Sequence, residues 1–436
     1  MKKFLNIQQF LFSKEFIKNI FNASFYFGNS IIQAITGIVA APIFARNLLP
    51  EDFAIIGYFT AIVGFTNPLI HLSMGNYYTI KYFKNTEEEN KQLLWTILLF
   101  LIGWNIILLP TLFLALNLIF HIIDHSYTAY PFLLIVYGSA FFNISLLFAQ
   151  INYRVKKKAI QYFILSSALT ILNVLISILF VVRYQMGATG KLGGNFVADI
   201  IIGIVAFVVI RKYCSPKFKW QYVREGIQIV SPLILGTLII FSIRNIDKIL
   251  LERLNNSYEF GYYSIGYNNA QYLVILGTAL YAAFEPDVIK YTINRNKRKL
   301  TLYLAGVTLI LITITVIYLI FSKYITHYLT SGRYTRAYMY ANIIAVAGFF
   351  FSLSKLLLTI LLALKKTKNI LLINSISALL AIIIYKLSIM KYGFYGAAYG
   401  RIIIGFTICL LIVIFILLST RKKQQILDNT DEKGVL

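Results

Sequence analysis

Apolar residues fall into long runs separated by short polar stretches rich in Lys and Arg. A helix crosses the hydrocarbon core of a bilayer with roughly 20 apolar residues. Runs of that length lie near 20–44, 53–74, 93–120, 129–151, 160–182 and 190–210. Six more lie near 227–251, 261–285, 300–321, 337–363, 368–390 and 395–418. They are too long and too continuously apolar for the alternating strands of a membrane barrel, so the pattern predicts helices throughout. The expected fold class is all-α and integral to the membrane, with about twelve transmembrane helices.

Composition agrees. The chain of 436 residues is 58% hydrophobic and only 13% charged, well beyond the balance of a soluble domain. Its net charge of +24 would suggest nucleic acid in a soluble protein. Here the cations sit between the apolar runs, which makes them a topology signal and excludes a nucleic-acid partner. With the amino terminus inside, 28 of the 41 Lys and Arg fall in cytoplasmic segments and 8 in outer ones. Both termini are therefore expected in the cytoplasm, with the chain in the cytoplasmic (inner) membrane. Met1-Lys2-Lys3-Phe4 resembles a signal-peptide start, yet Lys14, Glu15 and Lys18 interrupt any apolar core, so the segment is expected to be retained. Residues 4–20 are expected to form a short interfacial helix. Cys214 and Cys409 alone offer neither a disulfide framework nor a Cys metal cluster.

The chain also repeats itself. Asp52-Phe53-Ala54 pairs with Glu259-Phe260-Gly261, and Ile80-Lys81-Tyr82 with Ile289-Lys290-Tyr291. Val155-Lys156-Lys157 pairs with Leu364-Lys365-Lys366, and Gly187-x-x-Gly190 with Gly393-x-x-Gly396, all at offsets of 206 to 209 residues. Six spans return the chain to its starting side, so the halves share one orientation and a pseudo-twofold along the membrane normal. The expected domains are a six-helix bundle over 1–225, a second over 226–418, and a cytoplasmic tail over 419–436. Parallel repeats of this kind suggest a transporter.

In the second half the sequence runs Arg244-Asn245-Ile246-Asp247-Lys248-Ile249-Leu250-Leu251, then Glu259-Phe260-Gly261-Tyr262-Tyr263-Ser264-Ile265, and reaches Phe284-Glu285-Pro286. The chain resembles the polysaccharide biosynthesis (Wzx-type) flippases, whose pattern here is an Asp, a basic residue and aliphatics, then Gly-Tyr-Tyr-Ser. Leu48-Leu49-Pro50-Glu51-Asp52-Phe53-Ala54 is similar to the family's Leu-Gly-Pro-Glu-Glu-Phe-Gly turn, with Leu49 and Ala54 in place of the glycines. The resemblance implies the multidrug/oligosaccharidyl-lipid/polysaccharide (MOP) exporter fold, two six-helix bundles in a V around a cationic cavity. It implies as substrate an undecaprenyl-pyrophosphate-linked oligosaccharide, an O-antigen or other surface polysaccharide repeat unit carried from the cytoplasmic to the periplasmic leaflet. Lipid II flippases of the superfamily usually carry two further helices, for which this chain has no runs.

A charge at mid-bilayer costs at least about 2.5–3.5 kcal/mol, so charges inside spans invite a functional reading. Arg244, Asp247 and Lys248 are spaced i, i+3, i+4 and share one helix face. Asp247 pairs one cation and leaves a positive surface for a pyrophosphate, which Arg grips bidentately. Lys355 is too deep to snorkel easily, and Arg401 faces either the lumen or the outer interface; both join the expected cationic cavity. Anchoring at the membrane surface is the bland reading of the same residues, and the likelier one for Lys386 and Arg46. Asp199 is a candidate for ion coupling, or else the partner of an Arg. His71 after Asn67-Pro68 marks a broken helix suited to a gate, or a hydrogen bond between helices. His121, Asp124 and His125 lack a fourth ligand, so no metal is expected. Glu87-Glu88-Glu89 reads as a solvated turn.

No Walker loop, nucleophile elbow or zinc motif appears, so neither an enzyme nor a cofactor is expected. A membrane glycan polymerase or ligase is the alternative of another class, but it would want a large outer loop, and the longest here, about 323–336, is short. A drug efflux pump of the same superfamily would want acids rather than cations in its spans. The expected partners are the lipid-linked oligosaccharide, membrane lipids, and a polysaccharide polymerase with its chain-length regulator, around a monomer.

Overall fold

The computed structural model describes residues 14–122, 127–364 and 366–431, and all regular structure among them is helical. In chain order the helices are α1 (Lys14–Asn47), α2 (Pro50–His71), α3 (Met74–Tyr82), α4 (Glu87–Ile122), α5 (Phe132–Val155) and α6 (Ala159–Ile178). A π-helical turn, Leu179–Arg183, extends α6. They continue as α7 (Gly187–Arg211), α8 (Trp220–Glu252), α9 (Ser257–Ile293), α10 (Lys297–Leu329), α11 (Tyr338–Ala363) and α12 (Thr367–Asp431).

Ten helical stretches are long and apolar enough to cross a membrane. One of them, Thr367–Leu418, is two helices joined at Gly393, whose φ of 57° and ψ of −132° interrupt α12. α9 is long enough to cross as well, and it carries Glu259, Glu285 and Asp287. Each of these acids accepts from a tyrosine. The Tyr340 hydroxyl donates to Glu259, Tyr281 to Glu285 at 2.6 Å and Tyr303 to Asp287 at 2.7 Å. With α9 and the divided α12, every one of the twelve expected spans has its helix, and the chain is a multi-pass membrane protein. Large apolar side chains stay exposed along these helices, among them Ile107, Leu114, Leu309 and Ile320, as lipid contact demands and water would not tolerate.

The helices begin and end for local reasons. Glu87–Glu89 form the first turn of α4 rather than a free turn, because Thr86 and Glu89 cap it: the Thr86 N–H donates to Glu89 at 2.8 Å and the Glu89 N–H to the Thr86 hydroxyl at 3.4 Å. α10 extends to Leu329, so the expected outer loop over 323–336 shrinks to a few residues before a 3₁₀ turn at Thr335–Ala337. α2 stops three residues after Pro68, Leu72 and Ser73 take left-handed conformations, and the short α3 follows.

The chain divides into two compact units, Met1–Leu235 and Gly236–Leu436, with the division inside α8. In the first, Ala40 and Phe44 of α1 and Leu48 just beyond it pack with Val181, and partly buried Phe53 and Ile56 of α2 join them. In the second, Val288, Val307, Leu311, Leu356 and Ile360 build a core from α9, α10 and α11. Gly187 and Gly393 hold the same place in the repeat and both have left-handed φ, +54° and +57°. The glycine three residues on packs at backbone distance in each case: a Cβ at Gly190 would meet the Phe180 backbone at 3.2 Å, and one at Gly396 would overlap the Ser388 carbonyl. Residues 1–13 and 123–126 lie outside the described residues, and with them Asp124, His125 and most of the expected interfacial helix.

Candidate functional site

α8 carries Arg244, Asp247 and Lys248 into the interior of the second unit, and each meets a different fate. Asp247 is fully buried and Lys248 is 5% exposed, whereas Arg244 is exposed. The partner of Asp247 comes from 154 residues away: Arg401, 4% exposed on the second segment of α12, donates from Nε to Oδ2 at 2.8 Å and from Nη2 to Oδ1 at 2.9 Å. This is the bidentate fork that suits guanidinium to carboxylate. Nη2 also donates to the Arg244 carbonyl at 2.7 Å. The Tyr263 hydroxyl donates to Asp247 and accepts from Arg401 Nε at 3.0 Å.

Lys248 points its ammonium at the face of Tyr267, 3.8 Å from the ring centroid, and the Arg401 guanidinium lies 4.6 Å from the same ring. Two buried cations thus share one carboxylate and one π face, leaving a formal charge of +1. Cation–π contact offsets that excess by about 2 kcal/mol for a desolvated cation. Tyr385 closes the cluster, fully buried, with no hydrogen bond to its hydroxyl. Asp247, Lys248 and Arg401 are therefore part of the packing.

The accessible charge is a turn away. Arg244 lies within electrostatic reach of Lys355 on α11, a like-charged pair. Lys355 is half-buried and donates to the Thr278 hydroxyl of α9 at 3.1 Å. Neither cation has a carboxylate partner among the described residues. The structure brings two expected residues into one accessible cationic surface, and three into a buried network beneath it.

The remaining candidates belong to the first unit. Asp199 on α7 is 8% exposed and lies beside the Ser139 and Asn143 side chains of α5, neutral neighbours where an Arg was one expectation. Pro68 and His71 sit at the end of α2. The carbonyls exposed by the break are taken by α4: Trp104 Nε1 donates to Leu69 O at 3.0 Å and Asn105 Nδ2 to Ile70 O at 2.9 Å. This is how non-helical backbone survives at membrane depth. His71 Nδ1 is buried and without a hydrogen-bond partner, so the expected bond between helices is not made at that atom. No three His, Cys, Asp or Glu side chains converge among the described residues.

The sequence did not single out Tyr267, Tyr385, Thr278, Ser139 or Asn143. Tyr263 and Tyr267 had a usable signal, an i, i+4 pair on α9. Tyr385 had none.

Comparison with known proteins places this geometry. The family model described as polysaccharide biosynthesis protein matches residues 16–286, well over half of the chain, and the MatE model matches residues 232–386. No curated protein sequence matches. Among solved structures, a lipid II flippase MurJ in an inward closed conformation superimposes with a TM-score of 0.68, at 16% identity over 91% of this chain and 87% of that one. An inward-facing multidrug resistance MATE family transporter of the MOP superfamily gives 0.66, at 11% identity over 90% and 98%. A Vibrio cholerae MATE transporter, VcmN, gives 0.51, at 19% identity over 90% and 92%. At these identities the structural likeness speaks for the fold alone. Together with the family match it makes the chain a member of the polysaccharide biosynthesis protein family, on the fold of the MOP superfamily.

Proposed function

We propose that this protein is a flippase that carries an undecaprenyl-pyrophosphate-linked oligosaccharide, an O-antigen or other surface polysaccharide repeat unit, from the cytoplasmic to the periplasmic leaflet by alternating access. The observation that carries the reading is the Arg244–Lys355 pair, two like charges on the spans α8 and α11 that lie within electrostatic reach of each other. Such a pair stays near only at an energetic cost, which a dianionic or pyrophosphate ligand removes by charge-assisted hydrogen bonds. The Arg401–Asp247 fork supports the pair from beneath: it fixes the α8 backbone at Arg244 through the 2.7 Å bond to its carbonyl.

Within this proposal Asp199, Pro68 and His71 keep the roles of ion coupling and gate, and no catalytic residue or cofactor is involved. The cytoplasmic placement of both termini and the two-bundle division are parts of the same reading. A cationic drug as cargo is disfavoured, since the accessible pair would repel it.

The test is in cells lacking the protein, complemented with wild type, Arg244→Ala or Lys355→Ala, following the sidedness of the lipid-linked glycan. Oligosaccharide-lipid trapped on the cytoplasmic leaflet, unrescued by well-expressed variants, is the expected result. Single repeat units that reach the outer leaflet but stay unpolymerised or unligated would show a glycan-processing enzyme and overturn the proposal.

A further inference from the structure

A second concentration of charge lies in the first unit. Three polar segments that the charge count assigns independently to the cytoplasm meet there: the start of α4, the α5–α6 turn and the α7–α8 connection. The Ser215 N–H donates to the Lys91 carbonyl at 3.1 Å, and Lys158 Nζ donates to the Tyr213 hydroxyl at 2.9 Å. Between them is a cavity of about 730 Å³ lined by Lys91, Lys156, Lys158, Lys212, Tyr213 and Asn90, among others.

Its chemistry is lopsided. Four lysines face one carboxylate, Glu87, which is exposed and spent on Lys91 at 3.3 Å. Tyr213 holds two of the lysines against its ring, Lys156 at 4.1 Å and Lys158 at 4.9 Å, so the ammonium groups are positioned rather than waving in water. Burial lowers the Lys156 ammonium below its ordinary value, and the neighbouring Lys158 pushes the same way.

Two lining residues also carry a buried polar atom without a partner. Asn90 is 8% exposed, and its Nδ2 donates to the Tyr82 carbonyl at 2.9 Å, which fixes the amide orientation and leaves Oδ1 with nothing to accept. Asn85 Nδ2 has nothing to donate to. A ligand that satisfies this wall brings phosphate oxygens for the lysines. Exposed Phe83 and Ile160, neighbours in sequence of the lining residues, are apolar and suited to acyl chains.

We propose that this pocket binds the phosphate-bearing headgroup of an anionic phospholipid of the cytoplasmic leaflet, such as phosphoglycerol. Basic pockets between the cytoplasmic ends of membrane helices are suited to such headgroups. The site is separate from the Arg244–Lys355 surface and stands or falls without it.

The test titrates the full-length detergent-solubilised chain with phosphatidylglycerol and with phosphatidylcholine, reading adducts by native mass spectrometry. Phosphatidylglycerol is expected to bind selectively. Loss of about fivefold in affinity is expected for Lys212→Gln, and roughly twenty-five-fold for Lys156→Gln with Lys158→Gln. Lys212 is exposed and makes no side-chain hydrogen bond or ion pair among the described residues, so its variant removes charge without breaking a polar contact. Lys297→Gln with Lys299→Gln, an equal charge change in the second unit, is expected to leave binding unchanged. Equal loss in that control, or no selectivity over phosphatidylcholine, overturns the proposal. Displacement by soluble glycerol phosphate at the affinity of the lipid overturns the lipid source and assigns the pocket to a soluble phosphate.

Discussion

Replacing Asp247 by leucine leaves Arg401 and Lys248, 4% and 5% exposed, with no carboxylate between them, and takes the acceptor from the Tyr263 hydroxyl. Removing one partner of a buried ion pair costs about 3–5 kcal/mol. For a unit of the size of Gly236–Leu436, each kcal/mol lowers the melting temperature by about 2–4 °C, so the expected drop is roughly 6–20 °C. Thermal unfolding of the full chain in detergent, followed by size-exclusion of a fluorescent fusion, reads this directly. The double variant Asp247→Leu with Arg401→Met restores the formal charge of +1, carried by Lys248 on Tyr267, and replaces the pair with apolar volume. Such replacements are often neutral, so the double variant is expected to melt well above the single one. A single variant that melts with wild type, or a double variant as unstable as the two single losses combined, refutes the account of Arg401–Asp247 as an interdependent buried pair.

The accessible pair should behave in the opposite way. Arg244→Ala and Lys355→Ala are expected to melt with wild type to within about 1 kcal/mol, since only the Lys355–Thr278 bond is lost, while transport falls roughly 10–100-fold and Lys355→Arg retains most of it; leaflet-resolved glycan labelling checks this. Gly393→Ala meets no atom within 4 Å and pays only for a backbone, φ 57° and ψ −132°, that a residue with a Cβ rarely adopts, about 1–3 kcal/mol. Gly396→Ala must displace the Ser388 carbonyl and is expected to cost at least the upper end of the about 1–3 kcal/mol range for overpacking, seen as lower accumulation in the membrane. Burial pushes the Cys214 thiol from its ordinary 9.0 up to about 12. Because the raised value disfavours the thiolate, maleimide labelling at neutral pH should run roughly a thousandfold slower than for an ordinary thiol, and climb with pH toward 12. Rapid neutral labelling of the folded protein would contradict that environment.

The spans were legible because a bilayer leaves the backbone almost no choice: an apolar run of sufficient length must be a helix. α9 shows the same rule under stress. Its acids lower its mean apolarity, yet Tyr281, Tyr303 and Tyr340 satisfy them inside the protein, and no periodicity announces such partners. The face shared by Arg244, Asp247 and Lys248 was also legible, since i, i+3 and i+4 fix it. Which cation Asp247 would hold was not. Arg244 and Lys248 are nearest in sequence, but Arg401 reaches both carboxylate oxygens at once, and that depends on how α8 and α12 pack.

The repeat explains where chemistry and scaffold part company. Gly187, Gly190 and Gly194 recur as Gly393, Gly396 and Gly400, and the left-handed turn recurs with them. At the same offsets Asp247 corresponds to Ala40, Arg401 to Asn195 and Tyr267 to Thr60. Asn195 accepts only the Ser177 hydroxyl at 3.1 Å among the described contacts, and Ala40 packs in an apolar core. The glycines are shared because both units solve one packing problem, a turn that lets two helices approach at backbone distance. The charges are not, because a buried ion pair brings no packing advantage over the apolar residues that fill the same place in the first unit. At the same offset Arg244 corresponds to Gly37, Lys248 to Ala41 and Glu252 to Ala45, so the ionisable residues that enter where the repeat breaks gather on α8, and a functional explanation for the second unit has to begin with what the Asp247–Arg401 pair holds in place: the α8 turn that presents Arg244.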